Sequence, residues 1–461
     1  MNVQKLLSRS DWNLETTSCT KIHITIAHPA SQSLDAKLRY RPLSVIQRKG
    51  HTVRQAVGFN VSEVSVTTTN EVNRKFDLLL KGGRVIDPAN DIDGIFDVAT
   101  SGGYIAAVDS NISPALARTV TDVSGLVVTP GLVDLHAHFY GYDGSLYPDA
   151  HCLPEGTTTA VDAGGSGHLT FDDFNELVIA PATTNIFALI NIAGEGMVGQ
   201  PEQDLEGMDT ELTSAKIAQR PDLIVGVKVA HYMGPGWEPL DRGLQAAEDN
   251  GVFLMVDQSP IHTRPMNEMV LEHLRPGDMV THCYALSKPM TDGQDQVKPY
   301  FFEARDRGVQ FDVGHGAGSF SFRIAKAAIE QDFLPDTIST DMHRASLLSN
   351  HATMPETMTK LMALGMELTE IVKRSTWDPA QAIGHPELGN LGQTAPADIA
   401  VLELAEGEFG LVDNGTANRV YRANQRIICQ LTVKNGQIVW DKNGRSRDDW
   451  ASTPPTNPSL A

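Results

Sequence analysis

The chain has 461 residues, 41% hydrophobic and 20% charged, with a formal net charge of -20. This is the composition of a globular protein able to bury a sizeable core, and the length suits two or three domains or one large barrel with an appendage. So acidic a balance argues against a nucleic-acid partner, which would need a basic face toward phosphate.

Four cysteines, Cys19, Cys152, Cys283 and Cys429, stand far apart with no C-x-x-C among them. A disulfide framework or cysteine-rich zinc site is therefore not expected, and a reducing, cytoplasmic setting fits. No apolar run reaches the roughly 18 residues of a membrane helix, so no membrane partner is expected either.

Residues 1–75 carry 11 Lys+Arg against 5 Asp+Glu and lack clear periodicity. They read as an extension of uncertain structure or as a basic, Ser-rich targeting leader, and the opening MNVQKLLSRSDWNLETT has no signal-peptide core. From Phe76 the pattern sharpens: FDLLLKGGRVIDP, FDVATSGGYIAAVD and GLVVTPG are short strands with Gly-rich turns. ADIAVLEL and LTVKNGQIVWDKNG repeat the pattern near the other end, with Asn435-Gly436 as a hairpin turn. The two flanks, 76–128 and 385–445, are expected to form one small β-domain, leaving 446–461 as a tail.

Between them, eight apolar strands alternate with amphipathic stretches. The strands are LVDLHAH, TTTAVDAG, TNIFALINIAG, LIVGVKVAH, VFLMVDQ, DMVTHCY, VQFDVGHG and TISTDMH. DLEGMDTELTSAKIAQ, PLDRGLQAAEDN and FRIAKAAIEQ are among the intervening helices. The fold class is thus α/β, and eight strands are the number that closes a (β/α)8 TIM barrel, here over 129–384. An open doubly wound sheet is the alternative, but no G-x-G-x-x-G follows a first strand.

His136 and His138, two apart on a strand, share a face at its C-terminal end, with Asp134 placed to orient them. Active sites of barrels lie at that rim, and two convergent imidazoles can bind one metal ion. The bland alternative is a pair of hydrogen-bonded core histidines. Other strands also end in ligand chemistry: Lys228, Asp257, His282 and Asp341. A charged lysine inside LIVGVKVA is costly, and burial favours the neutral, nucleophilic amine. Such an amine can take up carbon dioxide as a carbamate, a two-oxygen ligand able to bridge two metals; otherwise Lys228 snorkels to the surface. Asp341 is read as metal ligand and proton shuttle, or as a helix N-cap. His315, His231, Tyr232 and His343 lie near strand ends and are candidate substrate contacts, as is Trp237.

PGLVDLHAH, VGVKVA, THCY, STDMH and ADIAVLEL, in that order, resemble the amidohydrolase superfamily, and VGVKVA, MVTHCYAL, FDVGHGAGSFSF and PDTISTDMH are most similar to its deacetylase-like, dihydroorotase-like subgroup. The resemblance spans roughly 76–441 and implies a metal-dependent (β/α)8 barrel with a small β-sandwich built from both termini. It implies that His136, His138 and Asp341 hold the more buried metal, and that Lys228, as its carbamate, bridges to a second held also by His282. Zinc is the expected ion. At the end of the fifth strand, where the pattern has a histidine, stands Asp257; His262 is a possible substitute. The carboxylate makes a binuclear site formally neutral instead of cationic, and its oxygen also suits manganese.

The implied reaction is hydrolysis of an amide or ester (acyl or acetyl) bond of a small organic acid or N-acyl amino acid by metal-activated hydroxide. Alternatives are a cyclic-amide hydrolase of dihydroorotase or hydantoinase type, a deaminase, and an impaired barrel serving as an assembly module. By analogy, a homo-oligomer is expected.

Overall fold

The computed structural model describes residues 22–28, 32–38, 74–257, 264–413 and 419–451. The chain divides into two compact units, Met1–Arg74 and Lys75–Ala461. Within the first, β1 (Ile22–His28) and β2 (Gln32–Leu38) pair antiparallel. The remainder of the basic extension, with Cys19, lies outside the described residues, as does His262.

The second unit contains two sheets. The flanks contribute β3 (Phe76–Asp87), β4 (Ile92–Ser101), β5 (Tyr104–Asp109), β6 (Ala117–Asp122) and β7 (Val127–Pro130). The centre contributes β8 (Leu132–Ala137), β9 (Thr157–Gly167), β10 (Asn185–Asn191), β11 (Ile224–Val229), β12 (Phe253–Asp257), β13 (Met279–Thr281) and β14 (Gln310–Phe311). The C-terminal flank adds β15 (Ile399–Val412), β16 (Val420–Lys434) and β17 (Gln437–Asp441).

β3 to β7 and β15 to β17 hydrogen-bond into one continuous sheet of eight strands, joined where β15 runs antiparallel to β7. Leu80, Val85, Val98, Val128, Val401 and Val433 bury one of its apolar faces. Asn435 and Gly436 both have positive φ, as a tight hairpin turn of the primed kind requires. Two separate opposed sheets are not resolved: the hydrogen bonding is continuous, and this sheet shares its compact unit with the barrel.

β8 to β14 run parallel in sequence order. Residues 337–342 close the ring without forming a regular strand, bridging Asp312 with Thr337 on one side and Ala137 with Met342 on the other. Amphipathic helices such as Glu238–Asn250 and Phe322–Ile329 cover the outside. On β12 and β13, Met255 and Met279 lie two residues before Asp257 and Thr281, so an apolar layer stands directly beneath the polar rim. Ala380, Ile383 and Leu388 complete that layer.

Candidate metal centre

The polar rim collects side chains from the ends of five barrel segments. His136, His282 and Asp341 each offer a ligand atom within 4.8 Å of the others. His136 Nε2 lies 3.7 Å and His138 Nε2 3.0 Å from Asp341 Oδ1. Two atoms sharing a tetrahedral zinc at about 2.0–2.1 Å each would stand about 3.3 Å apart. The two imidazoles therefore converge as the H-x-H spacing predicts, although the pairing register shifts between Asp134 and Ala137.

The supports beneath these groups are built from buried carboxylates. His136 Nδ1 lies 3.0 Å from Thr281 Oγ1, which donates to Asp312 Oδ2 at 2.8 Å. Asp312 also accepts from Thr337 and Ser339, at 2.7 and 2.6 Å. Asp134 orients its neighbours through the backbone, accepting from His136 N, Thr340 N and, at 2.5 Å, Thr340 Oγ1. Burial drives the Asp134 carboxyl up to about 7 against those hydrogen bonds. His136 is displaced downward, by burial first and by the Lys228 charge second, so it is neutral at ordinary pH, as a metal ligand must be. Burial opposes ionisation of Asp341, but His136, with hydrogen bonds from His138 and His343, outweighs it and holds the carboxyl well below its usual range.

Lys228 is fully buried, and its Nζ sits 2.6 Å from Asp257 Oδ1, an ion-pair distance, and 3.3 Å from His136 Nε2. It does not snorkel to the surface. Asp257 in turn reaches His231 Nε2 at 3.5 Å and His282 Nε2 at 3.8 Å. Burial works against its charge too, but Lys228, His282 and His231 overturn that and keep it ionised. Three rim residues, His231, His282 and Asp341, have left-handed backbone with φ of 58, 61 and 46°. Such strain outside glycine clusters at functional sites, where the surroundings enforce it. Gly316 is needed beside them: a Cβ there would lie 2.3 Å from Asp341 Oδ2.

The four candidate substrate contacts divide. His343 Nδ1 is 2.8 Å from the Asp341 carbonyl oxygen, and its ring lies near His138 and Tyr142. It also caps the helix Arg344–Asn350. His231 and Tyr232 line a cleft that opens beside Asp257, with Trp237. His315 departs from its expected place. It is fully buried, stacks on Phe320, and its Nε2 is 2.6 Å from Lys360 Nζ. Its neighbouring glycines bring backbone, not the ring, to the site.

Several participants escaped the sequence reading. Asp312 had a signal, a carboxylate inside the apolar run VQFDVG. Tyr142, Arg264 and Lys288 sit on loops and Glu202 on a single 3-10 turn, Gln200–Gln203, where no periodicity marks them. Cys152, Cys283 and Cys429 are buried thiols. Among the described residues no helix is long and apolar enough to cross a membrane.

Comparison with known proteins places this geometry. A deacetylase of Agrobacterium fabrum is 33% identical over 335 residues, covering 69% of this chain and 81% of that protein. A crystal structure described as an adenine deaminase superposes with a TM-score of 0.72 at 29% identity, covering 79% of this chain and all of the other. One described as a dihydroorotase gives 0.71 at 28% identity, covering 79% and 99%. No family-level sequence model matches the chain.

Proposed function

The chain belongs to the deacetylase family of the amidohydrolase superfamily, a hydrolytic enzyme acting on C–N bonds, and on that premise we propose that it cleaves the acyl group from a small N-acyl amino acid or acylated organic acid. The observation that carries this reading is the convergence of His136, His282 and Asp341 within 4.8 Å at the rim of the barrel. The division that goes with it puts the chemistry in residues 129–384 and makes the terminal sheet, 76–128 with 385–445, the counterpart of a β-sandwich.

His136, His138 and Asp341 would hold a divalent cation, zinc with manganese as the alternative; their spacing and the neutral state of His136 suit it. His282, Asp257 and Lys228 as its carbamate would hold a second. In the chain as it stands, Lys228 faces Asp257, so forming the N–C bond to carbon dioxide requires the amine first to shed its proton against that carboxylate. The second ion therefore depends on breaking the pair, and the first does not. A bound cation supplies an acidified water near neutral pH and an electrophilic pull on the substrate carbonyl.

The residues do the rest. Asp341, ionised and 3.0 Å from His138, takes a proton from the attacking water and hands it to the leaving nitrogen or oxygen. The Asp312–Thr281 chain fixes the tilt of His136 while that proton moves. Tyr142 and His343 pack against each other and against His138 on the Asp341 side.

A hydrolysis screen of acyl esters, N-acyl amino acids, dihydroorotate and hydantoins with metal-reconstituted protein tests the reading. Turnover of the open-chain acyl compounds is expected. Exclusive ring opening would favour the cyclic-amide alternative, for which the dihydroorotase likeness speaks. No turnover of either class would overturn both.

A further inference from the structure

Beside Asp257 the rim opens into a narrow cleft. Trp237, Leu240, Met266 and Met269 give it an apolar wall. Two carboxylates reach its vicinity, and both already face a cation: Asp257 faces Lys228, and Glu202 faces His231. Two further cations line it, Arg264 and Lys288.

Arg264 is held for a purpose other than a protein ion pair. One guanidinium nitrogen donates to the Tyr232 carbonyl oxygen, and the group lies 5.4 Å from the Tyr232 ring centroid and 5.8 Å from that of Trp237. Two aromatic faces and a backbone acceptor thus fix its plane. Among the described residues no carboxylate lies within ion-pair distance of it, and its Nε has no hydrogen-bond partner. Lys288 stands close enough for the two charges to repel: burial and Arg264 together push its ammonium down to about 8. Two cations this close in a half-buried cleft favour an anion that contacts both.

We propose that Arg264, backed by Lys288, seats a carboxylate of the substrate, while its apolar side chain lies against Trp237, Leu240, Met266 and Met269. This rests on the hydrolytic reading above and narrows it to acyl compounds of apolar acids, N-acyl derivatives of apolar amino acids foremost. Asp257 lines this cleft and also reaches His282 at the metal centre, so one molecule can span both. The positive charge that a carboxylate in the fifth-strand position removes from the metal centre is restored on the neighbouring loops.

The test is calorimetric binding of 4-methylpentanoate and of its neutral counterpart 4-methylpentanamide to the full chain in the presence of chelator. Wild type, Arg264→Gln and Lys288→Met are compared. Wild type is expected to prefer the carboxylate by about 10-fold or more, the scale of a charge-assisted bidentate contact. Arg264→Gln should bring the acid-to-amide ratio toward unity, and Lys288→Met should lower it partway. Equal affinity in wild type, no measurable carboxylate binding, or a preference that survives both substitutions overturns the proposal. Hydrolysis, assayed separately with metal, distinguishes the two readings. Turnover without acid preference keeps the enzyme and removes this seat. Acid preference without turnover does the reverse.

Discussion

Replacing Asp257 by Asn tests the charge balance of the centre most sharply. Asp257 and Lys228 are 7% and 0% exposed and 2.6 Å apart. At an effective dielectric of about 20 their gross attraction is roughly 6 kcal/mol, most of which offsets the desolvation of the two groups. Asn keeps the shape and removes the charge, so no cavity forms. What remains is a buried ammonium with His136 Nε2 at 3.3 Å as its neighbour, and unmatched charges of this kind cost about 3–5 kcal/mol. The assay is urea unfolding of chelator-treated wild type, Asp257→Asn, Asp257→Leu, Lys228→Met and the Lys228→Met/Asp257→Leu pair, with the coupling read from the double-mutant cycle of the Leu and Met variants. The pair of apolar residues should recover most of the loss. A loss below about 1 kcal/mol, or no coupling, would refute the ion pair. Stabilisation by Asn would indicate an anion on Lys228 even without metal.

Thr281→Val cuts the link between His136 and Asp312 while preserving volume, and metal affinity measured by competition with a chelating dye should fall about 10- to 100-fold. Asp341→Asn should leave the circular dichroism spectrum and melting curve near those of wild type and remove most turnover; near-normal kcat would refute its role as proton carrier. Lys360 gives a pH signature: burial lowers its ammonium from 10.5 to about 8, against the carboxylates of Glu356 and Asp413. Between about pH 8 and 10.5 the unfolded chain binds the extra proton, so wild type should gain up to roughly 3 kcal/mol of stability relative to Lys360→Met as pH rises through that window. A flat difference across it would contradict the assignment.

Much of the centre was legible because its residues are expensive where they stand. Two histidines, a lysine and an aspartate in apolar strand ends have few physical excuses, and the structure brings His136, His138, Lys228 and Asp341 together with Asp257 and His282. The strand count was legible from the same apolar runs, though the eighth segment closes the ring through bridges alone. Its pairing is interrupted where Asp341 turns left-handed, its carboxylate toward His136 and His138. His315 misled because glycines around a histidine suggest close approach to a ligand, whereas here they let backbone reach the site and send the ring to Lys360. Arg264 and Lys288 were invisible for a different reason. Each lies on a loop, and only the packing of Tyr232 and Trp237 against the guanidinium gives its position meaning.

Metal content of the purified chain is the most direct measurement of the central claim. Elemental analysis after reconstitution should find at least one tightly held divalent ion per chain. That ion should be lost in His136→Gln and Asp341→Ala, with the fold retained by circular dichroism. A second tight equivalent is expected only where carbamate forms, and Asp257→His should make it easier to fill. A correctly folded wild-type chain that retains no divalent ion under any reconstitution would contradict the account.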